Sequence, residues 1–308
     1  MPITGTGSFK QSVMQVSFTL AQGGFAGGGN TATLNTLQLS NLRMTAKAVN
    51  AGGAAMGELQ LAIYGMVPSQ MNTLSTLGMR VQQIPIRNTV TLMAGKRGDA
   101  ALSTVFQGGI QAAYADLEQQ PDVVFRVVAK SGLPQAVTSY DSTSLPGSAD
   151  VAVILAKMAS DNGLAFENNK VSVIGAEGQH YWGSARSQIQ QCCENYNIGW
   201  TIEKNTLIIW PQNGTRTGGP TIISADTGMI GYPAYTAMGV RFRTLYNPAL
   251  RFQGSVKIVL ADNDPIKLPI SVWTVYKLEH DLSSEYPHGN WESVAESYNP
   301  DFPQPVTN

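Results

Sequence analysis

The stretch GYPAYTAMGVRFRTLYNPALRFQGSVKI, residues 231–258, alternates apolar and polar side chains on both sides of an Asn247-Pro248 break. Its first half places apolar and basic residues on opposite sides, with Val240, Phe242 and Thr244 against Arg241 and Arg243. A period of two is typical of half-buried β-strands. The stretch therefore predicts two strands that turn one face toward a core.

The composition favours β structure and gives no sign of nucleic-acid binding. Charged residues make up 13% of the 308 residues, and 20 Lys and Arg nearly cancel 21 Asp and Glu, for a net charge of -1. This balance provides little attraction for phosphates. With 31 Gly and 16 Pro, the chain suits turn-rich sheets better than helical bundles.

The N-terminal part predicts an antiparallel β domain over residues 1–135. Apolar residues alternate with polar ones in several segments, at 12–20, 42–48, 59–63, 89–93, 105–114 and 122–129. Pro68 suits the first turn of a short helix, because a proline lacks only an N–H that this turn leaves unpaired. The segment AQGGFAGGGN, residues 21–30, is predicted as a flexible glycine-rich loop.

Residues 136–215 predict a small α/β domain, and the chain then returns to β structure. One helix is predicted with Ser148 as N-cap and Gly163 as left-handed C-cap residue, and a second over residues 184–196. A hairpin follows, in WTIEKNTLIIWP at residues 200–211. We predict a second β domain over residues 216–298, whose strands include segments 266–272, 273–282 and 291–298, and a C-terminal tail over 299–308.

A short internal similarity links the two β domains. In VFQGGIQAA the order Phe106, Gln107, Gly108, Ile110 matches Phe252, Gln253, Gly254, Val256 in RFQGSVKIV. A duplication would leave this kind of echo. It predicts that both domains are copies of one barrel.

The chemistry-bearing residues predict no catalytic, cofactor or metal site. Cys192 and Cys193 are adjacent, so they do not pair readily with each other, and both fall on the apolar side of the second helix. His180, His280 and His288 lack the spacing of metal ligands. We expect a protein that is not an enzyme, with a cysteine-dependent hydrolase as the less favoured alternative. The sequence also predicts no secretory signal and no membrane-spanning segment, and hence production in the cytoplasm.

Two groups of residues leave alternatives open. Arg241, Arg243, Arg251 and Lys257 lie on polar strand faces, which suits either a solvated face or a surface presented to a subunit or a lumen. The tryptophans predict core packing or, for a β-rich carbohydrate-binding or adhesin module of a virion, stacking on sugars: Trp182, Trp200, Trp210, Trp273 and Trp291.

The last hundred or so residues resemble a known family. The ordered set WTIEKNTLIIWP, TGMIGYP, FRTLYNPALRFQG and LEHD followed by GNWES is similar to baseplate hub proteins of contractile-tailed bacteriophages. The N-terminal half resembles the family through AIYGMVPSQMNTLS and VFQGGIQAAYADLEQQPDVVFRVVA.

The resemblance implies two tail-tube-like antiparallel β-barrels that flank the small α/β domain. It implies a homotrimer whose six similar barrels join a sixfold tail tube to a threefold central spike. The implied partners are the chain itself, tail tube or tube-initiator proteins, the spike and other baseplate proteins, with viral DNA passing through the lumen without specific binding. The implied location is the virion baseplate, after assembly in the bacterial cytoplasm. Within the family pattern, His280 and Trp291 belong to the strands that end the second barrel and have structural roles.

Overall fold

The computed structural model describes residues 10–25, 35–52, 55–76, 88–118, 122–261, 268 and 270–299. The predicted loop at 21–30 is described only as far as Phe25, and the predicted tail only at Asn299. Ile266, Lys267 and Pro269 of the predicted strand segment 266–272 also lie outside the described residues.

The chain contains two β-rich parts separated by a mixed segment. The first β unit contains β1 (Ser12–Thr19), β2 (Thr36–Ser40), β3 (Met44–Asn50), β4 (Glu58–Tyr64), α1 (Pro68–Leu74), β5 (Thr89–Lys96), β6 (Ser103–Asp116) and β7 (Val124–Lys130). The insert contains α2 (Leu133–Val137), β8 (Thr143–Leu145), α3 (Val151–Asp161), β9 (Ala165–Asn168), β10 (Gln179–Tyr181), α4 (Ala185–Asn195), β11 (Ile198–Glu203) and β12 (Thr206–Pro211). The second β unit contains β13 (Thr221–Ile223), β14 (Ala234–Tyr235), β15 (Gly239–Leu245), β16 (Ser255–Ile258), β17 (Val272–Ser284) and β18 (Trp291–Tyr298).

One large sheet runs through both β units. Its strand order is β14-β15-β18-β17-β3-β4-β7-β6-β5-β1-β2, and β16 pairs with both β13 and β17 at one side. The two units meet where β17 pairs with β3 in antiparallel register, from Leu278 opposite Asn50 to Ser284 opposite Met44. The prediction of a mainly β fold is confirmed. The prediction of two barrels is not confirmed, because the two units share a sheet and the described residues form no closed barrel.

Four apolar clusters form the interior of the described residues: one in each part of the chain, and a small one of Ile208, Trp210 and Phe252 between the insert and the second unit. The cluster of the first β unit includes Phe18, Leu59 and Phe125, and it also takes in Leu282 from the end of β17. The insert packs α3 and α4 over a sheet of β9, β12 and β11. The second unit buries Phe242 and Trp273. Because Leu282 belongs to the first cluster, the β17–β3 junction is stabilised by side chains as well as by the backbone ladder.

The opening stretch folds largely as its alternation predicts. Its apolar positions are buried, with Val240, Phe242, Thr244, Leu250, Phe252, Val256 and Ile258 all below a tenth of full exposure. The two strands do not pair with each other, however. β15 pairs with β14 and β18, whereas β16 pairs with β13 and β17. The turn-rich segment after Asn247-Pro248 carries the chain from one position to the other.

The helices of the insert follow the predicted signals with one correction. Ser184 caps α4 as predicted, and Gly163 follows α3 in the left-handed region with φ 67°. The N-cap of α3 is Asp150 rather than Ser148, since its carboxylate accepts the Ala152 amide at 2.8 Å. A carboxylate is as effective an N-cap as a serine hydroxyl.

Candidate assembly face

The two cysteines lie in the insert core and present no reactive thiol. Both are fully buried on α4, as the sequence predicts. Burial raises the pKa of Cys192 to about 11, even though a hydrogen bond from Tyr181 opposes this shift. Burial also raises the pKa of Cys193. A protonated, buried thiol is a poor nucleophile.

The histidines occupy three unrelated environments. The His280 Nδ1 lies 2.8 Å from the Ser293 hydroxyl in the interior. The His180 Nδ1 lies 2.7 Å from the Ser144 hydroxyl, but these residues are directly paired between β10 and β8, where cross-strand contact is ordinary. His288 is exposed. Within the described ranges, no cluster of three or more His, Cys, Asp or Glu side chains suits a metal ion.

The tryptophans separate into buried and exposed rings. Trp200, Trp210 and Trp273 are buried, and Trp291 is partly buried against the first cluster. Trp182 is 62% exposed and stacks on His180 with ring centroids 5.9 Å apart.

One side of the shared sheet faces solvent, and we call it the polar face. Residues that pair directly on neighbouring strands point to the same side of a sheet, so the registers define its rows. The middle row contains Arg243, Val294, Glu279, Val49, Glu58 and Lys130. The row above contains Leu245, Glu292, Asp281, Lys47, Gln60 and Val128, and the row below contains Arg241, Glu296 and Lys277. The face crosses both β units without interruption, and its rows are exposed or half-buried.

Ion pairs balance the charge of this face. Four of them join neighbouring strands: Lys47 to Glu279 at 2.8 Å, Arg243 to Glu292 at 2.7 Å, Lys277 to Glu296 at 3.2 Å, and Lys130 to Glu58 at 4.0 Å. The first crosses the β17–β3 junction, and the hydrogen bond to Glu279 raises the pKa of Lys47. A hydrogen bond from the Tyr276 hydroxyl, and a weaker one from Lys277, lower the pKa of Glu296. Exposed pairs of this kind contribute about 0–1 kcal/mol each, so they set charge and register more than stability.

The two ends of the polar face differ. One end is the hairpin 229–238 around β14, where Tyr232, Tyr235 and Met238 are each about half exposed, at 52%, 51% and 49%. The middle row continues from Lys130 to Gly109 of β6 and Thr89 of β5, but beyond this row the other end is the outer edge of β6. There the ladder with β5 stops at Gly109, whereas the ladder with β7 continues to Asp116. Leu117, which follows directly, is 55% exposed.

Sequence reasoning missed a buried ion cluster between the insert and the second unit. Arg216 is 7% exposed and donates two hydrogen bonds to Glu167, at 3.0 and 2.7 Å, and one to Glu203 at 2.8 Å. These carboxylates raise the pKa of Arg216 against the opposing effect of burial. Glu167 and Glu203 lie 49 and 13 residues away from Arg216 along the chain. No local sequence pattern therefore predicts the cluster.

The fold is that of a mainly β protein. The family model described as "Baseplate hub gp41" matches residues 13–288, and the chain belongs to that family of phage tail proteins. No curated protein matches the chain by sequence. No helix among the described residues has the length and apolar character needed to cross a membrane.

Solved tail proteins share the fold at low sequence identity. A 43 kDa tail protein of prophage MuSo2 from Shewanella oneidensis is 9% identical, with a TM-score of 0.56 over 95% of this chain and 98% of the other. A tail protein from Neisseria meningitidis MC58 is 8% identical, with a TM-score of 0.58 over 93% and 97%. An Escherichia coli protein is 10% identical, with a TM-score of 0.53 over 83% and 73%. It is described as a type VI secretion component with structural similarity to the T4 tail proteins gp27 and gp5.

Proposed function

We propose that this chain is the structural hub of a contractile phage tail baseplate and that it works as a homotrimer. Each chain supplies two tube-like units, within the boundaries 1–135 and 216–298, around the α/β domain 136–215. Three chains then present six units, which match a sixfold tail tube on one side and a threefold central spike on the other. The hub works without catalysis and is assembled in the bacterial cytoplasm before it becomes part of the virion.

The β17–β3 ladder is the observation that carries this proposal. It joins the two β units of a chain into one sheet with a continuous polar face. A ring of three such chains would place six similar sheets around an axis, because closed rotational symmetry repeats the same contact. With its charges paired, the polar face suits the wall of a lumen through which DNA passes without being held.

The family supports the proposed partners. A baseplate hub contacts other baseplate proteins, and the related E. coli protein is described by its similarity to T4 gp27 and gp5. We therefore propose the spike, tail tube or tube-initiator proteins and other baseplate components as the partners of this chain.

Mass photometry of the purified protein tests the trimer. We expect a species of three times the 33.0 kDa chain mass, either alone or after addition of spike protein. A cryo-EM reconstruction of the particle then reads the neighbours on each side. A strictly monomeric species under all conditions, spike included, would contradict the proposal.

A sugar-binding role is the second candidate, and Trp182 favours it. An exposed indole next to a stacked His180 offers the flat apolar surface that sugar rings prefer. A glycan array compares the wild type with Trp182→Ala. Specific binding that this substitution abolishes would support an adhesin role, and an array without signal would leave the hub as the remaining candidate.

A further inference from the structure

The junction between the two β units shows how units of this kind join. β17 pairs with β18 on one side along most of its length. On its other side, its first part pairs with β16 and its second part, from Leu278 to Ser284, pairs with β3. β17 of the second unit thus extends past β16, and the exposed edge of its second part pairs with β3 of the first unit.

β6 has the same arrangement in the first unit, but its second part lacks a strand partner among the described residues. β7 pairs with one side of residues 109–116, and β5 pairs with the other side only from Ser103 to Gly109. Thr76 contacts the Ala113 backbone on the open side, through bonds of 2.7 and 3.0 Å. The edge from Ala115 to Glu118 lies beyond this contact.

The strand that corresponds to β3 in the second unit is β14. β3 begins the order β3-β4-β7-β6, and β14 takes the same place in β14-β15-β18-β17. If the junction within the chain is repeated between chains, the β14 edge of one copy meets the second part of β6 in the next copy, which has no strand partner among the described residues.

Charge and apolar exposure match between these two ends. The segment 110–118 carries Asp116 and Glu118 and no basic residue, whereas the segment 229–243 carries Arg241 and Arg243 and no acidic residue. Asp116 already pairs with Arg126 at 2.6 Å, and Arg243 with Glu292 at 2.7 Å, so the match rests on Glu118 and Arg241. The exposed Leu117 on one end would be covered by the exposed rings of the other. Opposite charges at a rim steer association, and buried aromatic side chains supply most of the binding energy.

We propose that hairpin 229–238 of one copy of this chain packs against the outer edge of β6, from Ala115 to Glu118, in the next copy. The inference rests on the proposed trimer and identifies its contact. The contact is heterologous, since each copy offers a different surface to each neighbour, and such contacts close into rings when the rotation allows it.

Crosslinking across the contact tests this geometry. Leu117→Cys and Tyr235→Cys in the same chain, treated with a short bismaleimide, should give covalent dimers and trimers and nothing larger. Each substitution alone should give no crosslink, and a mixture of the two single variants should give dimers only. The wild-type protein, whose two cysteines are buried, serves as background after the same treatment. Ile174→Cys with Tyr235→Cys is the matched control, because Ile174 is 71% exposed on the insert.

A charge exchange tests the same contact without crosslinking. Arg241→Glu should weaken trimer formation at least tenfold in mass photometry, and Glu118→Arg added to it should restore the wild-type level. Lys257→Glu, an exposed reversal on β16, is the control and should change nothing. An unchanged melting temperature shows that each variant is folded.

The outcomes separate the two proposals. Trimers that give no more covalent product than the Ile174 control would overturn this contact and leave the hub proposal intact. Monomers under all conditions, with spike protein included, would overturn both.

Discussion

Arg216 holds the insert to the second β unit through charges that solvent screens little. Its guanidinium contacts Glu167 and Glu203, which belong to two different strands of the insert. Removing one partner of a buried pair leaves the other charge desolvated, and that costs about 3–5 kcal/mol. Arg216 thus adds a charged contact to the packing of Trp210 on Phe252 and the hydrogen bonds from Thr217 to Asn169, which also join the insert to the second unit.

We expect Arg216→Ala to lower the free energy of unfolding by about 3 kcal/mol. Arg243→Ala is the matched control, because it removes an arginine from an exposed pair with Glu292 and should cost about 0–1 kcal/mol. Urea denaturation measures both. Equal losses in the two variants would show that the cluster contributes no more than a surface pair.

The cysteines provide a second test at this scale. With the pKa of Cys192 raised to about 11, only about one thiol in a thousand is ionised at pH 8. Maleimide labelling of the native protein should therefore be slow at both cysteines and fast in urea. Ile174→Cys supplies an exposed thiol for comparison. A native cysteine that labels as fast as this control would reopen the hydrolase alternative.

At the scale of elements, β17 carries the junction, and His280 lies at its centre. His280 is buried opposite Ala48 of β3, with the Tyr246 ring in edge contact at 5.3 Å. Burial, and then the positive charge of Lys204, lowers the pKa of His280 to about 3. The ring is therefore neutral in the folded protein at pH 7.

This depressed pKa predicts an acid-sensitive junction. Between about pH 6.5 and pH 3 the unfolded chain binds a proton at His280 that the folded chain does not, so stability falls as the pH falls. We expect the wild type to lose about 1.4 kcal/mol per pH unit between pH 6 and 4, relative to His280→Gln. Denaturation at several pH values measures this difference. His288→Gln, at an exposed site, should follow the wild type, and parallel curves for wild type and His280→Gln would contradict the prediction.

The elements could be predicted from sequence further than their pairing. The period-two pattern predicts β18 at Trp291–Tyr298 and much of β17, because alternation is a local signal of a half-buried strand. Nothing local predicts that Leu278 lies opposite Asn50. The sequence also could not show that β15 and β16 lie apart, since partner choice depends on distant strands. For the same reason, the sequence identifies the polar residues of the polar face but does not show that they form one surface.

At the scale of the whole molecule, the polar face is balanced in charge. Its rows contain cationic and anionic side chains in strand-to-strand pairs, in keeping with the net charge of -1. Affinity for DNA depends mainly on contacts between cationic side chains and phosphates. As the wall of the proposed lumen, such a face would neither retain DNA nor add a large barrier to its passage.

We expect no DNA binding by the wild type at 150 mM salt, with Kd weaker than about 10⁻⁴ M. Glu58→Lys with Glu279→Lys should make the face basic and produce binding that decreases with salt. Fluorescence anisotropy with labelled duplex DNA measures both proteins. Charge reversal of Glu177 and Glu194, exposed residues of the insert, is the control for total charge. Salt-sensitive binding by the wild type would contradict a neutral wall.

The β17–β3 ladder also has a consequence for how a ring would come apart. In a threefold ring, every second contact between units would be a β17–β3 ladder within one chain. The three contacts between chains would alternate with these ladders, 120° apart, and would separate more easily. Force applied along the axis would find the same three weak lines each time, so opening would proceed in thirds rather than sixths. A collar that splits this way keeps each pair of units intact and ready to close again.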